Sequence, residues 1–150
     1  MTVPSLIADP EQKRQGGDDR PIVEVAVGVL MQSDNSFLMT SRPEGKPYAG
    51  YWEFPGGKLE AGESIEEALS RELNEELGLT VVKATAWKVE VVDYPHALVR
   101  LHFFKVTQWL GALQMKEQQS FAWSCLPVVV SPILPGALPV LGWLEQECKT

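Results

Sequence analysis

The residues able to do chemistry are concentrated between Gly57 and Leu79, in the run GKLEAGESIEEALSRELNEELGL. Glu63, Arg71, Glu72, Glu75 and Glu76 stand there at spacings that a single helix would set. Ser64 suits an N-cap, Glu67 completes a capping box, and Gly78 falls where a left-handed residue ends a helix. Counted from Ile65 at about 100° per residue, Ala68, Leu69, Leu73 and Leu77 span an arc from about −60° to about +120°. Glu72 and Glu76 lie inside that arc, at about −20° and about +20°, with Glu75 at its edge near about −80°. A solvated acidic face would avoid the apolar arc. Carboxylates beside a core are costly unless something pairs with them. Arg71 alone cannot neutralise three helix glutamates and Glu63. A divalent cation can, and an oxygen-only donor set indicates Mg²⁺, with Mn²⁺ as a possible substitute.

The same run carries the pattern G-x5-E-x7-R-E-U-x-E-E-x-G-U, U being a bulky aliphatic. It falls on Gly57, Glu63, Arg71, Glu72, Leu73, Glu75, Glu76, Gly78 and Leu79 without a deviation. In this the chain resembles the Nudix hydrolases. The resemblance implies an α+β fold, an α/β/α sandwich with a mixed sheet between helices. It also implies hydrolysis at the pyrophosphate of a nucleoside diphosphate derivative, with metal ligands at Glu72, Glu75, Glu76 and the Gly56 carbonyl. Arg71 would orient the helix glutamates through Glu63. Its other reading is an exposed i,i+4 pair with Glu75.

A closer likeness lies in Arg42 and in Tyr51-Trp52-Glu53-Phe54-Pro55-Gly56-Gly57-Lys58-Leu59-Glu60, which resemble the MutT branch of that family. This implies a Mg²⁺-dependent nucleoside triphosphate pyrophosphohydrolase, with 8-oxo-dGTP as the leading substrate and nucleotide-pool cleansing as the role. Another nucleotide, ADP-ribose or a dinucleoside polyphosphate is the alternative, and a non-catalytic nucleotide-binding module a third. By its spacing to Trp123, Glu117 matches the branch's further metal carboxylate, although a lone loop glutamate is also an ordinary solvated residue. Arg42 and Phe54 would lie beside the nucleotide. Lys46 and Lys58 are either phosphate contacts or surface charges. The branch reads its purine partly through a Pro-Ala-Asn-x-Pro segment. Here the corresponding stretch is Leu134-Pro135-Gly136-Ala137-Leu138-Pro139, so Ala137 replaces the asparagine.

These residues must be positioned by the rest of the chain. Val23, Val25, Val27 and Val29 alternate with Glu24, Ala26 and Gly28, a strand with small residues on one face. Ser33 to Ser36 form a turn, and Phe37 to Ser41 return as a second strand. Tyr51 to Phe54 form a short extended segment. Thr80 to Tyr94 and Leu98 to Thr107 are Val-rich and predict a hairpin, joined through Tyr94-Pro95-His96. Phe121 to Trp123 give a last short strand. Leu138 to Cys148 predict a closing helix with Val140, Leu141 and Leu144 inside. Strands, helix, strands and helix in this order fit a mixed sheet with helices on opposite faces. Residues 1–21, with Gly16-Gly17-Asp18-Asp19, read as a flexible tail, and 22–150 as one domain.

The 150 residues suit a single domain with a sizeable core. A net charge of −7 without a basic stripe argues against binding a nucleic-acid polymer. It does not oppose a free nucleotide. Cys125 and Cys148 form no C-x-x-C pair and read as reduced thiols, and His96 and His102 make no metal pattern. No apolar run would span a membrane, and the N-terminus has no signal-peptide pattern, so the expected location is cytoplasmic. A monomer or a homodimer is expected. Trp52, Trp87 and Trp123 are read as core.

Overall fold

A computed structural model describes residues 7–8, 19–95 and 97–148. Its larger sheet contains β1 (Ile7–Ala8), β2 (Ile22–Leu30), β5 (Gly56–Lys58), β6 (Thr80–Tyr94) and β7 (Ala97–Leu110). Their order is β1-β6-β7-β2-β5. β6 and β7 form the expected long antiparallel hairpin, from Thr80 opposite Leu110 to Tyr94 opposite Ala97. β2 runs parallel to β7, Ile22 beside Leu98 and Leu30 beside Val106, and antiparallel to β5. The sheet is therefore mixed. His96, in the expected connection, lies outside the described residues.

Side-chain alternation along β2 sends its two faces to two cores. Ala26 and Leu30 pack with Leu69, Leu73 and Leu77 of α1 (Ile65–Leu77). A Cβ on Gly28 would stand 3.1 Å from Leu73 and 3.3 Å from Leu69, so small residues on this face let α1 come close. Val27 and Val29 pack with Val140 and Leu144 of α2 (Leu138–Cys148). The helices thus cover opposite faces, as the element order required. Trp143 of α2 meets Trp87 and Phe103 edge-on, at 5.5 and 5.4 Å between ring centroids. Trp52, Trp87 and Trp123 all pack against these cores.

The expected second strand forms as β3 (Phe37–Ser41), meeting β2 in an isolated bridge between Met31 and Phe37. It centres a second, antiparallel sheet, β4-β3-β8, with β4 (Trp52–Glu53) and β8 (Phe121–Ser124). Phe37, Leu38, Met39 and Thr40 are all buried, and Leu38 joins the α1 core while Phe37 and Met39 join the α2 core. A strand buried on both sides carries no alternation to tell which neighbour it takes. One expectation needs correction, at the N-terminus. Order does not begin at Ile22, because Ile7 and Ala8 pair with Val92 and Val91 at the edge of β6. Arg20 bonds the Asp93 carboxylate and donates to the Tyr94 carbonyl at 2.8 Å. The remainder of the expected tail, 1–6 and 9–18, lies outside the described residues.

Candidate active site

α1 is built as its sequence required. Ser64 Oγ accepts the Glu67 N–H at 3.1 Å, and Glu67 Oε1 accepts the Ser64 N–H at 2.9 Å. Gly78, at φ +73°, closes the helix through its N–H on the Asn74 carbonyl. Ala68, Leu69, Leu73 and Leu77 are buried. Glu72 and Glu76 sit on the same side of the helix and line a cavity of about 740 Å³.

That cavity is lined by both acidic and apolar side chains. Glu72, Glu76, Glu117 and Glu53 are the acidic ones, close enough for the charges of the others to act on Glu76, and Gly56, Gly57, Arg42, Lys46 and Lys58 line it too. Val92, Val99, Leu101, Phe103, Leu134 and Ala137 belong to the apolar lining. Phe54 and Ala137 are both 4% exposed, and Phe54 rests on Phe37 with ring centroids 5.9 Å apart. The short helical turn Pro135–Ala137 is held there by the chain before it. Trp52 N–H donates to the Pro132 carbonyl at 2.8 Å, and Leu134 N–H donates to the Trp52 carbonyl at 2.9 Å.

Glu76 is strongly perturbed. Burial pushes its pKa up to about 9, and the charges of Glu72, Glu117 and Glu53 add to the shift. The Gly56 N–H, donated to Glu76 Oε2 at 3.1 Å, opposes it. Such a group is held at a cost in the absence of a cation. Glu53 is pushed up by burial too, with Arg42 partly offsetting. Arg42 donates to both Glu53 oxygens at 3.2 Å and to the Pro47 carbonyl at 2.7 Å.

Arg71 combines the two roles open to it. Its Nε and Nη2 donate to the two Glu63 oxygens at 2.6 and 3.0 Å. Nη1 reaches Glu72 at 2.9 Å and Glu75 at 3.1 Å, and Nη2 also reaches the Lys58 carbonyl at 2.9 Å. Glu63 keeps its carboxyl below the usual range chiefly through Arg71, and it accepts the Glu60 N–H as well. The guanidinium therefore fixes Glu72 from behind while the i,i+4 contact to Glu75 is also made.

The glycines permit a close approach. A Cβ on Gly57 would stand 2.3 Å from the Glu72 carboxyl carbon, and one on Gly56 would stand 2.0 Å from the Ala26 carbonyl oxygen. Gly57→Ala would displace the end of a flexible side chain rather than backbone. It is expected to lower kcat about 10-fold or more with little change in melting temperature, since the carboxylate has to leave its position. Steady-state kinetics alongside a thermal melt would check this.

The structure brings Glu72, Glu76, Glu117, Gly56, Arg42, Lys58, Phe54 and Ala137 to one cavity. Glu63 lies behind Arg71, and Glu75 is 55% exposed with its carboxylate on Arg71. Glu75 is thus outside the cavity lining, unlike Glu72 and Glu76. Among the described residues no three acidic, His or Cys side chains close into a preformed metal cage. The donor chemistry nonetheless fits a hard divalent cation: all the candidate ligands are oxygens, they repel one another, and they face an open space. Mg²⁺ characteristically takes few carboxylates and completes its shell with waters and phosphate oxygens. Three polar side chains of the cavity were not singled out from the sequence as site residues: Glu53, Tyr48 and Tyr94. An acid between Trp52 and Phe54 in a strand was the one available sign of the first. His102 is bonded to Glu24, on the face away from the cavity, and Cys125 and Cys148 are free and exposed.

A NUDIX domain model matches residues 23–134. The chain belongs to the Nudix family. The 8-oxo-dGTP diphosphatase of Haemophilus influenzae is 36% identical over 105 residues, covering 70% of this chain and 77% of the relative. The CTP pyrophosphohydrolase of Escherichia coli is 34% identical over 122 residues, covering 80% and 89%. A solved MutT structure from work on Aliivibrio salmonicida and Vibrio cholerae superposes with a TM-score of 0.69 at 32% identity, covering 84% of this chain and 98% of that one. With its motif intact, this Nudix protein is a pyrophosphohydrolase. Among the described residues, no helix is long and apolar enough to cross a membrane.

Proposed function

We propose that this Nudix enzyme uses Mg²⁺ to hydrolyse 8-oxo-dGTP to the monophosphate and pyrophosphate. One observation carries the reading: a single cavity brings acidic side chains, fit for a cation and phosphates, together with apolar ones fit for a base. Glu72, Glu76, Glu117 and the Gly56 carbonyl are the proposed ligands, and Glu75 joins them by releasing Arg71. When bound, the cation would supply charge neutralisation on the pyrophosphate and acidify a water. The chain's own part is positioning. Arg71 holds Glu72, and the Gly56 amide holds Glu76. Arg42 and Lys58 offer cations to phosphate oxygens, while Phe54 and Leu134 cover apolar surface of the base.

The test is a panel of nucleotides, ADP-ribose and dinucleoside polyphosphates hydrolysed with Mg²⁺ or Mn²⁺, with products identified. The reading expects the highest kcat/KM for 8-oxo-dGTP and release of pyrophosphate. Faster cleavage of ADP-ribose or a dinucleoside polyphosphate, or release of orthophosphate, would overturn it.

Ala137 favours a second reading of the base specificity. It stands buried in the cavity wall with no side-chain hydrogen bond to offer, where relatives of the MutT branch would place an amide. A site that hydrogen-bonds a base edge rejects an analogue more strongly than an apolar wall does. The preference for 8-oxo-dGTP over dGTP is therefore expected to be smaller than in an asparagine-bearing relative. Ala137→Asn should widen it by about 1–2 kcal/mol. The measurement is kcat/KM for both nucleotides in the wild type and the variant. A large preference, unaffected by the substitution, would place base reading elsewhere.

A further inference from the structure

The loop carrying Glu117 has no helix or strand to hold it, yet three consecutive amides are fixed. Lys116 N–H donates to the Glu76 carbonyl at 3.1 Å, and Gln118 N–H donates to the Met115 carbonyl at 3.1 Å. Between them, the Glu117 N–H donates to the side-chain Oε1 of Gln119 at 3.1 Å. Gln114 N–H adds a bond to the Leu77 carbonyl at 2.9 Å. Lys116 and Gln114 thus use carbonyls that the end of α1 leaves without partners inside the helix. Gln118 turns the chain in the left-handed region, at φ +61°.

These bonds differ in what they depend on. The carbonyl acceptors belong to the main chain and survive a side-chain substitution. The acceptor for Glu117 is a single side chain. Gln119 is buried, at 8% exposure, between the exposed Gln118 and Ser120, so it is directed inward. The bond also works against a load. Glu117, itself exposed, lines the cavity with Glu53, Glu72 and Glu76, and its charge acts on Glu76, so these like charges repel. A loop free at this amide would relieve the repulsion by turning Glu117 away from them.

We propose that Gln119 is a positioning residue for the hydrolysis, its side-chain carbonyl fixing the Glu117 amide so that the Glu117 carboxylate stays in the cavity. This rests on the reading of Glu117 as a cation ligand given above. Gln119 acts only through Glu117 and touches no reacting atom.

A double-mutant cycle tests it, using Gln119→Met, which keeps the length and loses the acceptor, and Glu117→Gln. The readouts are kcat and KM at saturating Mg²⁺ and Mn²⁺ affinity of the free enzyme. Gln119→Met is expected to lower kcat about 10-fold, with KM nearly unchanged and Mn²⁺ bound several-fold more weakly. In the Glu117→Gln background, Gln119→Met should change kcat by less than about twofold. Should the methionine variant fail to fold, Gln119→Asn, one methylene too short for the amide, takes its place with the same expectations. Equal losses in both backgrounds, or wild-type kcat in the variants lacking the bond, would overturn the proposal. A silent Glu117→Gln would overturn it at its base, by removing Glu117 itself from the site.

Discussion

Glu76→Gln is expected to lower turnover by a factor on the order of 10³ and to raise the melting temperature of the cation-free enzyme at pH 8. The two effects have one cause. Glu76 is half-buried beside Glu72, Glu117 and Glu53, and its burial and their charges push its pKa up to about 9 from the ordinary 4.5. Folding without a cation therefore favours the protonated form. Between those values the folded protein retains a proton that the unfolded chain has released, so stability falls as pH rises. The contribution is fully present below about pH 4.5 and is lost progressively up to about pH 9. Its full size is on the order of a few kcal/mol. Glutamine cannot ionise and escapes the loss. The stability gap between variant and wild type should thus be wide at pH 8 and close near pH 5. Melting curves at both values, without and with Mg²⁺, together with kcat, check the expectation. Activity within threefold of wild type, or a gap independent of pH, would show that Glu76 does not serve as a buried cation ligand.

Glu117→Gln should lower kcat by a factor on the order of 10² while leaving KM almost unchanged. Glu117 lines the cavity with Glu72, Glu76 and Glu53. Removing its charge would weaken the hold on the cation that neutralises the reacting phosphates, while the apolar lining stays as it is. The amide keeps the shape and the loop bonds, so the fold should not suffer. The pH profile of kcat, compared between variant and wild type, is the deciding measurement. Superimposable profiles with equal kcat would make Glu117 a solvated loop residue.

The site was legible where local rules act alone. Ser64, Glu67 and Gly78 fix the ends of α1, and four apolar residues fix its buried face. The azimuths of Glu72 and Glu76 then follow, and the cavity is where those azimuths point. Legibility stopped where choice of partner enters. Phe37 to Thr40 are apolar or buried on both faces, so nothing in them distinguishes a place beside β2 from one between β4 and β8. Glu75 is one residue from Glu76, yet Arg71 draws it outward, and that capture depends on where Glu63 and the Lys58 carbonyl stand. Ile7 and Ala8 are too short a segment to announce a strand; the free edge of β6 supplies the reason. Gln119 is another such case. In sequence it is one of two adjacent glutamines, and only the fold turns it inward.

The parallel alignment of β2 with β7 bears on how the molecule is assembled. The β6–β7 hairpin closes a short turn and can form early, whereas Ile22 meets Leu98 only after the whole intervening chain has been gathered. Closing so large a loop costs entropy before its contacts return anything, so this pairing belongs late in folding. β5 reaches the sheet only through β2, and with it come Gly56, Gly57 and their contacts to Glu76 and Glu72. The acidic cluster is consequently completed at the end of the folding reaction. Interactions absent from the transition state govern the unfolding rate rather than the folding rate. A cation held by those glutamates would therefore lengthen the lifetime of the native enzyme and leave the speed of its formation almost untouched.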